Sequence, residues 1–267
     1  RGDPAHGGQV ANLSRTVGVV DRDAWCYGPG SDCYFLSDDG LYMIQGDCGG
    51  GEPRSLSRER MPRELIDVNR DLTTTQLVYD TEARGVHVFV TYDTEGSAPT
   101  HWYFDLMTQS FWPQKFQNDH EPLSSVYYRG QDSAETAVIL GCRDGVLRRF
   151  SPWDEKDDGG NVIDSYADLG IFMITDGRHE SVVNVIRGVT GGGGGVAWAL
   201  RTGASAEEAY LADARASGHW VEDGANPLVR PRLRGGAYLL RLSGIGGRAW
   251  SFERAVAEIT PLGKQRL

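Results

Sequence analysis

The sequence predicts an all-β protein, β-propeller-like blades followed by a β-sandwich-like C-terminal region, and three observations predict it. Residues 34–44 (YFLSDDGLYMI), 101–116 (HWYFDLMTQSFWPQKF) and 138–150 (VILGCRDGVLRRF) share one plan: an alternating apolar run, a polar turn and a second alternating run, the pattern of a β-hairpin. Glycine stands at 35 of 267 residues with no collagen period, which indicates many turns. Strand, strand and hairpin recur at a spacing of some 40 residues, the length of a blade of four short strands.

The elements follow in order. Residues 1–15 are polar and Gly-rich and read as a linker or arm. Residues 16–153 read as the blades. Strands are expected over 17–20, 24–27 and 34–44, separated by GPGSD and SDDG, with Asp39-Gly40 at the second turn. A surface loop follows over 46–63, its 55–63 portion a short helix, then a helical turn or irregular link over 66–73. Residues 77–92 read as a strand pair turning near Glu82–Gly85, with Val86, Val88 and Val90 facing one way and His87, Phe89 and Thr91 the other. In the last hairpin Asp144-Gly145 supplies the turn, Gly for its positive φ and Asp for its bond to the local backbone. The acidic stretch 154–160 (DEKDDGG) marks a boundary. Residues 154–267 then carry longer strands, over 170–175, 181–187, 196–201, 218–221, 237–242 and 250–259, as a sandwich-like or propeller-closing region. Residues 204–216 alone have helical composition.

Composition narrows the function classes. A 40% hydrophobic content opposes disorder, and no stretch approaches the ~20 apolar residues of a membrane span. The net charge of −10 and pI near 5.1 argue against a protein that coats nucleic acid by neutralising phosphates. Residue 1 is Arg, and the abrupt start of the recurring unit suggests part of a longer product.

No catalytic, cofactor-binding or metal-ligating residue is assigned. His6, His87, His101, His120, His179 and His219 lack metal spacing. Cys26, Cys33, Cys48 and Cys142 form no C-x-x-C pair; Cys26 and Cys33 flank the GPGSD turn, and buried reduced thiols are favoured over a bridge. The five glycines 191–195 lack the Lys and following helix of a phosphate loop and read as a mobile hairpin tip. SDDG at 37–40 resembles the Asp-box of sialidases, but Met43 stands where Trp is expected. Asp38, Asp39, Asp80, Asp93, Asp105, Asp119 and Asp144 show no pairing signal for glycosidic acid–base work, and turn roles are favoured. Arg230, Arg232 and Arg234 share one face if the backbone is extended, as an anionic contact or, by preference, a guarded edge strand. Trp102, Trp112 and Trp153 suit either a sugar platform or, preferably, core.

Three stretches resemble a family. VGVVDRDAW…CYFLSDDGLYMI, HWYFDLMTQSFWP and VRPRLRGGAYLLRLSGIGGRAWSFERAVAEITPLGKQRL are similar to β-propeller virion proteins of tailed bacteriophages, the tail-nozzle or tail accessory proteins of short-tailed phages, with the family's motifs falling on residues 34–40, 103–112 and 234–242. The family members are longer, with more blades before the stretch that resembles residues 17–44. The resemblance implies a non-enzymatic structural protein without cofactors, located in the virion tail and assembled in the host cytoplasm. The implied partners are copies of itself in a cyclic ring of six, portal or adaptor and tail-tip or fibre proteins, and genomic DNA passing through without specific binding; no membrane is implied. Its interface residues are expected in loops 46–63 and 204–216. The alternatives are a carbohydrate-binding or carbohydrate-active β-propeller and a protein-binding propeller.

Overall fold

Short strands joined by turns with side-chain caps dominate the chain, as the alternating pattern and the Asp and Gly content require. The computed structural model describes residues 12–46, 51–57, 60–94, 101–117, 119–132, 135–151, 154, 156–173 and 179–264. It is all-β, with several antiparallel sheets, none of them closed among the described residues. The chain divides into two compact units, Arg1–Ser151 and Pro152–Leu267.

The first unit holds three sheets whose strands follow chain order. β1 (Trp25–Tyr27), β2 (Cys33–Ser37), β3 (Gly40–Ile44) and β4 (Arg54–Ser55) make the first. β5 (Thr73–Asp80), β6 (Gly85–Tyr92), β7 (His101–Asp105) and β8 (Ser110–Gln114) make the second. β9 (Pro122–Tyr128), β10 (Ala137–Cys142) and β11 (Leu147–Arg149) make the third.

The turns explain the registers. Asp105 accepts the Met107 amide and the Thr108 hydroxyl through its two carboxylate oxygens, which shapes the β7–β8 turn. Asp80 Oδ1 accepts the Glu82 and Ala83 amides between β5 and β6. Asp144 Oδ1 accepts the Val146 amide, and Gly145 takes φ 81°, a conformation that Gly adopts without a Cβ clash. The first hairpin differs from expectation. Ser37 pairs with Gly40, so Asp38-Asp39 forms the two-residue turn and Gly40 opens β3. The helix expected over 55–63 is also displaced: Arg54–Ser55 is spent on pairing with β3, and α1 falls at Arg63–Ile66.

Both faces of the second sheet are covered, which is why every residue of Gly85–Thr91 is buried despite its alternation. Val86, Val88 and Val90 join Leu77, Tyr79, Trp102 and Phe104 in a core shared with Tyr34, Leu36 and Leu41 of the first sheet. Val78 and Phe89 point the other way and join Val138, Leu140 and Cys142 of the third sheet. Polar ties reinforce this layering: Thr91 Oγ1 donates to Pro122 O at 2.6 Å, Gln76 Nε2 donates to Leu123 O, and the Thr75 amide donates to Asp21 Oδ2 at 2.7 Å.

Two buried histidines sit within the second layer. His87 lies stacked on Phe89 and edge-on to Phe150, with Nδ1 3.1 Å from Gln114 Oε1 and Nε2 3.5 Å from Asp80 Oδ2. His101 Nδ1 accepts the Val90 amide at 3.2 Å, while Phe116 and Phe89 close around its ring. Burial lowers the His101 pKa from 6.5 to about 4. The unfolded chain therefore binds a proton that the folded chain excludes. The His101 contribution is complete above pH 6.5 and declines by about 1.4 kcal/mol per pH unit as pH falls towards 4. Urea midpoints measured between pH 7 and 4 should fall for the native chain and fall less for His101→Phe. Equal slopes would show that His101 is protonated when folded.

The second unit has two sheets around one core. β12 (Tyr166–Met173), β18 (Ala237–Gly244), β14 (Val196–Gly203) and β15 (Ala216–Trp220) form the first in that spatial order. In the other, β13 (His179–Gly191) pairs along one edge with β16 (Gly224–Ala225) and β17 (Leu233–Gly235) and along the opposite edge with β19 (Ser251–Lys264). Val183 and Ile186 of β13 meet Val196, Trp198, Leu200, Trp220, Tyr238, Leu240 and Leu242 in the shared core. The Tyr238 hydroxyl lies against Ser181 O, Ser181 Oγ and Gly235 O, tying β18 to β13 and β17.

The glycine run corrects one expectation. β13 and β14 lie in different sheets, so 191–195 is an inter-sheet link and not a hairpin tip. Gly192, Gly193 and Gly195 have φ of 96°, 73° and 70°, and a Cβ at Gly194 would come within 2.7 Å of Ala249 O. Backbone conformation and close chain approach thus account for the run.

Candidate interaction surfaces

The residues weighed for chemistry mostly resolve into packing and turn roles. Asp144 accepts two hydrogen bonds from Arg148, at 2.7 and 2.6 Å, and these chiefly hold its carboxyl at about 2. Burial would raise the Asp80 carboxyl, but His87 and the Ala83 and Glu82 amides outweigh it and hold the group below its ordinary value. Asp39 accepts the Tyr42 hydroxyl at 2.9 Å, and Asp119 O accepts the Asp144 amide at 3.0 Å. No group of three or more His, Cys, Asp or Glu side chains is placed to hold a metal among the described residues.

Cys26 lies opposite Tyr34 and shares its face of the first sheet, whereas Cys33 lies opposite Tyr27 and packs with Phe35 on the other face. The pleat therefore prevents the approach across GPGSD that spacing alone allows. Burial, then Cys33, raises the Cys26 thiol pKa. Cys48 lies outside the described residues. Trp102 is core, and Trp112 is half-exposed opposite Tyr103, on the reverse face from Trp102, so these two form no joint platform; Trp153 lies outside the described residues.

The arginine triplet does not share one extended run. Arg232 has φ 51° and β17 begins only at Leu233, so alternation breaks before Arg234. Arg234 pairs with Glu180 on the edge strand β17. The loop 46–63 is also less free than expected where it is described. Ser57 is buried and its Oγ accepts the Leu41 amide at 2.8 Å, Met61 joins the core, and Arg60 reaches the Thr108 and Gln109 carbonyls.

Three surfaces remain. The third sheet turns Val138, Leu140 and Cys142 inward, leaving Val126, Ile139 and Leu147 on the opposite face; Val126 is 58% and Leu147 75% exposed. Such adjacent apolar side chains on a sheet face mark a contact surface. This face escaped sequence reading because alternation identifies two faces without saying which is covered.

A polar cleft of about 400 Å³ is the second surface. It brings together two segments singled out by sequence, Arg234 with its partner Glu180, and α2 (Ala206–Leu211) with Glu208 and Arg215 beside it. Ser205 caps α2 by accepting the Glu208 amide at 3.2 Å, and Glu208 Oε2 accepts the Ala204 amide at 2.8 Å, a reciprocal N-terminal cap. Tyr210 and Leu211 at the helix end are exposed.

The third surface comprises the edge strands of the second unit. β12 exposes Tyr166, Ile171, Phe172 and Met173 and pairs only with β18 among the described residues. Arg241 is held bidentately by Asp168 at 2.7 and 2.6 Å and stacks 4.5 Å from the Tyr166 ring centre, so this outer face is ordered. Among the described residues β19 pairs only with β13. No protein-family model matches the chain, and no curated protein sequence matches it significantly.

Proposed function

We propose that this chain is a structural virion protein of a tailed bacteriophage, part of the tail nozzle or head-to-tail connection that continues the DNA channel. One observation carries the reading: the antiparallel sheets of the first unit follow one another in chain order, and the middle one shares a core on each face with its neighbours. Successive blades of a β-propeller are built this way. The third sheet has three strands and an exposed apolar face, so on this reading further blades pack against it. The second unit is then the sandwich-like region. The likeness of residues 17–44, 101–113 and 229–267 to phage nozzle proteins supplies the function class.

In this role the protein works through subunit contacts and channel shape, as a ring of six copies between portal or adaptor and tail-tip or fibre proteins. Its acidic charge suits DNA that must slide, because like charge opposes phosphate contact. The engagement of Asp80, Asp105 and Asp144 in turns and ion pairs favours this non-catalytic role over a carbohydrate-active propeller. Electron microscopy of particles labelled with an antibody to the chain tests the proposal. Label in a symmetric ring on the tail axis supports it, and an unassembled protein that cleaves or binds glycans overturns it.

A further inference from the structure

We infer that β19 is a self-complementary edge through which two copies of this chain join about a two-fold axis. β19 is 14 residues long, about 45 Å of extended chain, and among the described residues its outer edge pairs with no strand. An edge of that length offers a row of backbone donors and acceptors to another strand.

The sequence of the edge identifies the occupant. Residues 254–258 pair with β13 in unbroken register, from Arg254↔Val189 to Glu258↔Val185, so Arg254, Val256 and Glu258 share one face. Ile259 packs on the core from the alternate face, so these three point outward, and all three are exposed. Read from either end about Val256, Arg-Ala-Val-Ala-Glu sets complementary chemistry at equal distances. In an antiparallel pair of two copies centred on Val256, Arg254 faces the second copy's Glu258 and Glu258 faces its Arg254. Val256 meets Val256 between them, and Ala255 meets Ala257. Opposite charges and apolar side chains placed directly across strands are the pairs that stabilise a sheet. The ion pair that Arg254 makes within its own chain, with Glu253 at 3.9 Å between strongly exposed side chains, competes weakly.

The result is a continuous sheet running β13–β19–β19–β13 through two copies. Because an isologous contact closes at two, it is separate from the head-to-tail contact that a ring requires. Its failure leaves the proposed ring untouched, and failure of the ring leaves it standing.

Sedimentation velocity on the full chain tests the inference through charge exchange. Arg254→Glu sets Glu against Glu at both positions, and Glu258→Arg sets Arg against Arg. Each should weaken β19-mediated pairing about tenfold or more while leaving the circular dichroism unchanged, because both side chains are exposed. An equimolar mixture of the two variants should restore association in trans, and R254E/E258R should restore it within one chain. A native chain that stays monomeric at ~100 μM, single variants that associate as the native chain does, or a mixture no more associated than its components would overturn the inference.

Discussion

Trp220→Ala should destabilise the second unit by about 3–5 kcal/mol, among the largest losses available to a single substitution in this chain. Trp220 is fully buried at the end of β15, opposite Val196 and 6.0 Å from the Trp198 ring centre. Both rings are seated on glycines. A Cβ at Gly188 of β13 would come within 2.2 Å of Trp220 Cε3, and one at Gly218 would lie 2.7 Å from Trp198 Cζ2. The indole thus fills space that two sheets surrender to it, and removing it leaves a cavity that close-packed strands cannot collapse. Gly188→Ala should cost about 1–3 kcal/mol by the opposite route, overpacking. The two losses should not add, because in Gly188→Ala/Trp220→Ala the new methyl group occupies space vacated by the ring. Urea unfolding followed by circular dichroism reads all three variants. Additive losses would show that Gly188 and Trp220 do not share a site. Trp220→Phe should cost less than Trp220→Ala because the phenyl ring refills much of the cavity, and among the described residues the buried indole N–H has no hydrogen-bond partner for either variant to forfeit.

The strands were legible wherever burial alternates or turn chemistry is explicit. The hairpins of residues 34–44, 101–116 and 138–150 lie where period and polar turns place them, because Asp and Gly have local effects on the backbone. The Asp39-Gly40 turn slipped by one residue because Asp38 and Asp39 both suit a two-residue turn and only cross-strand register chooses between them. Non-local pairing defeated sequence reading elsewhere. Nothing near Gly191–Gly195 reveals that the strands on either side enter different sheets, and the opposite faces of Cys26 and Cys33 follow from a pairing partner. The cleft was half legible: Arg234 and the helix of α2 were each visible, but Glu180 and the return of β17 alongside β13 bring them together. Complementarity in β19 was present in the letters, yet it acquires meaning only once the strand is known to form an edge.

The layering of the first unit has its own weak point, and breaking it should cost about 3 kcal/mol or more. Arg143 follows β10, where its Nε donates to Glu121 Oε2 at 2.7 Å and its amide donates to Glu121 O at 3.0 Å. Its Nη2 donates to Tyr92 O at the end of β6, so one guanidinium joins the second sheet to the third. The two charged side chains are only 14% and 11% exposed. Removing one partner of such a pair strands the other charge away from water, at about 3–5 kcal/mol, whereas removing both charges together costs much less. Arg143→Met should therefore lower stability sharply, and Arg143→Met/Glu121→Gln should recover part of the loss despite carrying an additional change. Glu121→Gln alone leaves the cation with the Tyr92 and Asp93 carbonyls and should be the milder single substitution. A double-mutant cycle by urea denaturation measures the coupling directly. A coupling near zero would mean that the pair is solvated and that the apolar contacts of Val78, Phe89, Val138 and Leu140, with the Thr91 and Gln76 hydrogen bonds to β9, join the two sheets without it. A coupling of the expected size would make Arg143 a charged clamp that acts beside the Thr91 and Gln76 hydrogen bonds to β9, and so one of the residues that set how the two sheets are registered.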